Sequence, residues 1–226
     1  MLLESISSCS YLLLTCGSCI YSLIKHSYDQ YQQFIPHFVC ACSGIVMIST
    51  RSVFVLVYKL FIKQYVFDPV IIELEEKRNK GRLNSVDELF GIFSMAALLY
   101  SIYCHHGYYL LGACIITSLS LLDIFKLYKL KEAQLQGTDV PRSENIVARM
   151  LLQAPRCTIF IRVLISGLFA YSVGNNYAFV ANYPYLLTTW TLPPEGFYQG
   201  WSLRRTINDY MMAAYVIYMT EALRQT

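Results

Sequence analysis

The stretch LFGIFSMAALLYSIYC (residues 89–104), followed after His105-His106-Gly107 by YYLLGACIITSLSLLDI (residues 108–124), decides the fold class. Two apolar runs of 16 and 17 residues flank a three-residue break, each close to the length a helix needs to cross hydrocarbon. A connection that short forces an antiparallel helical hairpin. Ser85, with Glu88 three residues later, resembles a capping box that opens the first run.

Three further apolar runs lie on either side of this hairpin, at about 9–24, 34–58 and 157–173. Met1, Leu2, Leu3 and Ile6 can lengthen the first, which Lys25, His26 and Asp29 are expected to end. The second is interrupted by Arg51 and spans about 37 Å as a helix, enough to cross with tilt while Arg51 snorkels. The third carries Arg162 one turn inside, and Gly174-Asn175-Asn176 breaks or bends its far end. The spacing therefore predicts an all-α polytopic membrane bundle with about five transmembrane helices.

Composition agrees, since 55% of the 226 residues are hydrophobic and only 15% charged, against roughly 25% in an ordinary soluble domain. With a mean hydropathy of +0.40, there is more apolar side chain than a globule of this size buries, so lipid or partner helices must cover the remainder. The net charge of +3 comes from loop clusters that also hold acids, such as Glu73, Glu75 and Glu76 beside Lys77, Arg78, Lys80 and Arg82. That mixture argues against nucleic-acid binding. Eight cysteines lie in or at the ends of apolar runs, which argues against a secreted disulfide scaffold. The first run lacks a basic flank and a small-residue cleavage site, and reads as a retained helix rather than a removed signal.

Two charged connectors join the runs. In the first, Val70, Ile71 and Leu74 repeat at helical spacing after Asp68-Pro69, as in a short amphipathic helix on the membrane surface that Gly81 ends. The second, 126–156, holds its best linker at 137–141. Residues 1–176 read as the bundle. Residues 177–226 read as an aromatic-rich, irregular tail with Pro184, Pro193-Pro194, Trp190 and Trp201, ending in a helix. Only eleven residues separate Asp209 from Glu221, too few to cross a bilayer, so this helix is expected at an interface or on a partner, with a tilted sixth span as the alternative.

Five crossings from the N-terminal side place both connectors, and twelve of the eighteen Lys and Arg, on one side. The other side receives at most Lys25, Arg204, Arg205 and Arg224. The basic side is then cytoplasmic, or the matrix in a mitochondrion. The same alternation gathers His26, His37, His105 and His106 on the opposite face, with Cys40, Cys42 and Cys104 within a turn or two. Histidine and thiolate are usual ligands of metal, haem or quinone sites, which makes these four histidines the candidate cofactor-binding residues. The bland alternative has them at headgroup level, bonded to backbone carbonyls. No H-x-x-H, H-x-x-x-H or paired C-x-x-C spacing marks a metal site, and no catalytic or nucleotide-binding motif is specific enough to name a reaction.

Two local patterns resemble known families. Cys16-Gly17-Ser18-Cys19 is similar in spacing to the thiol pair of the vitamin K epoxide reductase family, without that family's second, loop-borne pair. It is read here as small residues that let helices approach closely. His105-His106 with Asp123 and Lys126 resembles, over about 25 residues and at shorter spacing, the pattern of ceramide synthase type proteins, which would imply acyl-chain chemistry. The alternative pairs Asp123 with Lys126 or Arg156 at the basic interface. Arg51, Arg162, Trp190, Trp201, Arg204 and Arg205 are expected at lipid or partner interfaces.

The functional expectation is an accessory, non-catalytic subunit of a large membrane complex, in the mitochondrial inner membrane as part of the respiratory chain or ATP synthase. It would need no cofactor beyond structural phospholipid, and its partners would be other membrane subunits. The alternative is a lipid-modifying or redox membrane enzyme with a His/Cys site on the face opposite the basic loops.

Overall fold

Hydrocarbon offers a peptide group no partner, so a chain that crosses it must satisfy its backbone within each segment. The computed structural model describes residues 2–57, 89–135, 157–187 and 203–225. Among these, every regular element is a helix: α1 (Leu2–Tyr31), α2 (Pro36–Val57), α3 (Leu89–His105), α4 (Tyr109–Leu135), α5 (Cys157–Ser172), α6 (Asn176–Leu186) and α7 (Leu203–Arg224). Three of them are long and apolar enough to cross a membrane, over Ile6–Tyr31, Pro36–Phe54 and Tyr109–Lys129, and mark an integral membrane protein. Two more, Leu89–His105 and Thr158–Ser172, are apolar but shorter. The expected surface helix around Val70, the linker at 137–141, the capping box at Ser85, and Trp190 and Trp201 lie outside the described residues.

Hydroxyls within these helices fold back onto their own backbone. Ser43, Ser49, Thr50 and Ser52 in α2, and Ser94 and Ser101 in α3, each donate to a carbonyl three or four residues earlier. The apolar runs therefore hold many hydroxyl side chains at no desolvation cost.

Neighbouring helices alternate in direction. The α1–α2 turn is closed by Ser27, whose Oγ donates to the Gln33 carbonyl at 2.7 Å and accepts from the Ile35 N–H. Lys25, His26 and Asp29 do not end α1, which continues to Tyr31 and stops at Gln32 with a φ of 54°. Polar side chains at headgroup depth leave the backbone ladder intact, so α1 runs about 45 Å, longer than the hydrocarbon it crosses. Likewise α4 continues past Ile124 to Leu135, into the segment read as loop.

Close helix approach is achieved at Gly44 and Gly112. A Cβ at Gly44 would stand 2.8 Å from the Ser94 carbonyl on α3, and one at Gly112 would stand 2.5 Å from the Tyr103 Cβ across the α3–α4 hairpin. Gly17 does not serve this purpose, because a Cβ there meets nothing within 4 Å. Its neighbours Cys16 and Cys19 point inward while Gly17 and Ser18 face out, as the 3.6-residue period requires.

The largest departure from the sequence reading is α7. Its buried residues, Asn208, Asp209, Met212, Ala213, Tyr215, Val216, Met219, Thr220, Ala222 and Leu223, form a broad stripe at helical spacing. It lies parallel to α1, with Asp209 beside Ser8 and Cys9 near one end and Thr220 beside Cys19 further along. On its other side it packs antiparallel to α6, a half-length helix that returns from the α5 turn to bring Tyr185 against Tyr215. The helix expected at the end of the tail is present, but it is longer, Leu203–Arg224, and lies inside the bundle, as in the sixth-span alternative. A helix screened from lipid by α1, α6 and α2 can carry Asp209 and Asn208, which is why hydropathy alone missed it. Its direction also puts Arg204 and Arg205 at the end where α1 begins, not at the histidine end.

Arg162 departs as well. Rather than snorkelling, its guanidinium is buried and pairs with Asp123 of α4 at 2.5 Å, with Tyr185 also bonded to it. Asp123 takes Arg162 as its partner because α5 turns Arg162 toward α4 and α6; Arg156, one of the two partners expected, lies outside the described residues. The pair ties α4 to the bundle.

Two outcomes follow. Gly112→Ala is expected to destabilise the detergent-solubilised protein by about 1–3 kcal/mol through overpacking, whereas Gly17→Ala is neutral or stabilising, as thermal unfolding will show. Arg162→Met alone is expected to cost about 3–5 kcal/mol by stranding Asp123, and adding Asp123→Leu should recover most of it; additive losses in the double-mutant cycle would contradict the pairing.

Candidate functional site: the histidine end of the bundle

Helices α3 and α5 stop in the same way. Gly107 (φ 81°) lets the Tyr108 N–H reach the Tyr103 carbonyl at 2.9 Å, and Gly174 (φ 70°) lets the Asn175 N–H reach the Ala170 carbonyl at 2.9 Å. Both are Schellman endings, in which a left-handed glycine turns the chain and satisfies a terminal carbonyl. They hold His105 and His106 at one level and Asn175 beside them.

Asn175 is the joint of this end. Its Oδ1 accepts from the Ala178 N–H at 2.9 Å, which makes it the N-cap of α6. That contact fixes the amide orientation, leaving Nδ2 to donate to the Ala222 carbonyl of α7 at 2.8 Å and to His106 Nε2 at 3.2 Å. His106 Nε2 is therefore an acceptor, and its ring proton sits on Nδ1. One buried side chain thus connects α6, α7 and the α3–α4 turn.

The four histidines expected on one face do meet there. His37, near the start of α2, places Nε2 3.5 Å from His105 Nδ1, with ring centroids 5.1 Å apart. His105 and His106 rings lie 5.0 Å apart and edge to face. His26 near the end of α1 reaches them through Phe38, whose ring is 5.8 Å from His26 and 4.3 Å from His37. The Nε2 of His26 is buried without a hydrogen-bond partner. Phe169 of α5 packs on the other flank, stacked on Tyr103 at 3.9 Å and edge-on to Tyr108 and His106.

His105 Nε2 lies 3.2 Å from the Gln225 carbonyl, so the last residues of the chain reach this cluster too. Sequence reading missed Asn175 and Gln225 as participants, since neither belongs to a motif; the Gly-Asn pair after α5 was the one available signal. Tyr100 lies beside Cys104 and Cys40, and Cys9, Cys16, Cys19, Cys40, Cys42, Cys104 and Cys114 are in no disulfide. Among the described residues, no three His, Cys, Asp or Glu side chains are grouped so as to hold a metal ion. For Arg51, Arg204 and Arg205 the description extends to the helical backbone alone, in α2 and α7.

No protein-family model matches the chain, and comparison with curated proteins and solved structures gives no significant match.

Burial, and secondarily the neighbouring His105, hold the His106 imidazole below its ordinary value of 6.5. The fold keeps this ring neutral, while the unfolded chain takes up a proton near 6.5. The contribution of His106 is therefore full above that pH and is lost as pH falls through 6.5 toward the lower folded value. The stability difference between wild type and His106→Gln, which retains an acceptor for Asn175, should be constant above pH 6.5 and shift against the wild type below it. Parallel unfolding curves across that window would refute this.

Proposed function

We propose that this chain is an accessory, non-catalytic integral membrane subunit that crosses the bilayer with α1 to α5 and, alongside α1, with α7, and acts by packing between neighbouring subunits and phospholipid. The observation that carries this reading is α4. It is apolar around its circumference, and Leu110, Leu111, Leu121, Leu122 and Phe125 are all exposed although the helix is anchored inward by Asp123. A helix apolar on every side is one that is covered on every side. Tyr109 and Tyr128 on the same helix, and Tyr108 just before it, are also exposed, and aromatic residues of this kind are enriched in subunit interfaces.

Crossings by α1 to α5 are supported by the way these helices alternate between two common ends, and α7 runs parallel to α1 between the same ends. From the sequence, we take the basic end to face the cytoplasm or matrix, and the host to be a respiratory-chain or ATP synthase assembly of the mitochondrial inner membrane. Crosslinking in native membranes, followed by purification, is the test. The expected result is a fixed set of membrane subunits recovered in stoichiometric amounts; a monodisperse chain with no crosslinked partner would contradict the proposal.

A second reading is favoured by one observation, the convergence of four histidines beside free thiols at a single end. It makes the protein a lipid-modifying or redox membrane enzyme. Lipid or quinone turnover by the isolated chain, abolished by His105→Ala and His106→Ala, would favour it over the accessory role.

A further inference from the structure

We propose that the groove between α5 and α6 is a binding site for one acyl chain of a phospholipid from the leaflet on the histidine side. This deepens the reading above by naming where phospholipid is held, and it rests on these helices lying in the membrane. The groove has a volume of about 270 Å³ and is lined by Val163, Gly167 and Tyr171 of α5 and by Phe179, Tyr183 and Leu186 of α6. Gly167 leaves room on the face turned to α6, and Ser166 holds the two helices together by donating to Asn182 Oδ1 at 2.6 Å.

The lining offers shape and no charge. The Asn182 amide is spent within α6, its Nδ2 donating to the Ala178 and Phe179 carbonyls at 3.1 and 3.3 Å. Phe179 stands between two tyrosines, its ring 6.3 Å from Tyr171 and, edge-on, 6.0 Å from Tyr183, so the aromatic wall is set by its own contacts. Leu164, Leu168, Tyr171 and Tyr183 are exposed along the rim, so the groove opens sideways, where a membrane places lipid.

Its dimensions select the occupant. The groove runs from Tyr171, beside the Gly174 turn at the histidine end, inward to Val163 and Leu186. The rise from Tyr171 to Val163 is about 12 Å, close to the roughly 15 Å that is half of a hydrocarbon core. It therefore matches one leaflet. An apolar cavity of about 150 Å³ accommodates benzene, so this volume takes roughly ten carbon atoms. A partner helix about 10 Å across would need on the order of 900 Å³ over the same length and would stand almost wholly outside. The space is that of a single slender chain. Lipid tails gain nothing hydrophobic by leaving other tails, so what retains this one is dispersion contact with the floor and the aromatic wall.

The test uses the full-length chain in phosphatidylcholine vesicles doped with phosphatidylcholine that carries a photoreactive diazirine midway along one acyl chain. After illumination, adducts mapped by mass spectrometry should favour Leu164, Leu168 and Tyr183 severalfold over Leu110 and Leu121, which are at least as exposed on α4 and lie outside this groove. Gly167→Leu should lower groove labelling by roughly threefold or more and leave α4 labelling unchanged, because the new side chain takes the space of the acyl chain. A Cβ at Gly167 meets only Asn182 Nδ2 at 3.7 Å and Phe179 at 4.0 Å, which leaves the variant room to fold, and circular dichroism will confirm it. Replacing part of the host lipid with phosphatidylglycerol should change nothing. In native membranes, a photoreactive amino acid at Leu168 should capture phospholipid. Equal labelling of α4 and the groove, labelling that Gly167→Leu leaves intact, displacement by phosphatidylglycerol, or capture of a protein at Leu168 would each overturn the site while leaving the accessory role standing. Adducts absent from α4 and the groove alike would instead remove the membrane placement on which both readings rest.

Discussion

A polar group left alone in hydrocarbon costs several kcal/mol, and that cost decides which surfaces of this protein face lipid and which face one another. The exposed sides of α4 and α5 present Leu, Phe and Tyr, while the ionised and amide side chains are turned inward onto partners. Asp123 has Arg162, Asp209 has Ser8 and Cys9, and Asn175 has both Ala222 and His106. Each of these contacts joins helices distant in sequence. The requirement to satisfy polar groups therefore also specifies which helices are neighbours.

This constraint explains the two polar centres of the bundle. Toward one end, Arg162, Asp123 and Tyr185 form an ionic knot among α4, α5 and α6, with Tyr215 of α7 against the Tyr185 ring. At the other, the two Schellman turns bring the histidines and Asn175 together beneath the end of α7. A buried ion pair contributes less to stability than to register, because the desolvation of both charges offsets most of their attraction. Its value here is that α4, whose outward face is mostly apolar, has one defined way to sit.

How much of this was legible in the sequence depends on what each helix touches. The α3–α4 hairpin was plain, because both runs are apolar and the break contains only His105, His106 and Gly107. The gathering of the histidines followed from counting crossings, and the rings of His37, His105 and His106 do lie in contact. The pairing of Asp123 with Arg162 was not legible, since other basic residues lie as near in sequence and only the orientation of α5 turns Arg162 onto it. Least legible was α7. Window hydropathy reports contact with lipid, and a helix shielded by α1 and α6 has no need to be greasy; its signal was instead the buried stripe from Asp209 through Ala213, Val216 and Thr220 to Leu223. Gly17 misled in the opposite sense, because a small residue marks close approach only when its helix face is turned inward.

The account rests most heavily on α7 lying inside the bundle alongside α1. Thr220→Cys, in a chain that keeps Cys19 and lacks the other cysteines, tests this directly, because the Cys19 and Thr220 side chains are neighbours. Mild oxidation in membranes is expected to give a rapid disulfide within a single chain, seen as a shift in electrophoretic mobility that reductant reverses. Failure to form that bond, or its formation only between two chains, would place the last helix elsewhere and contradict the account.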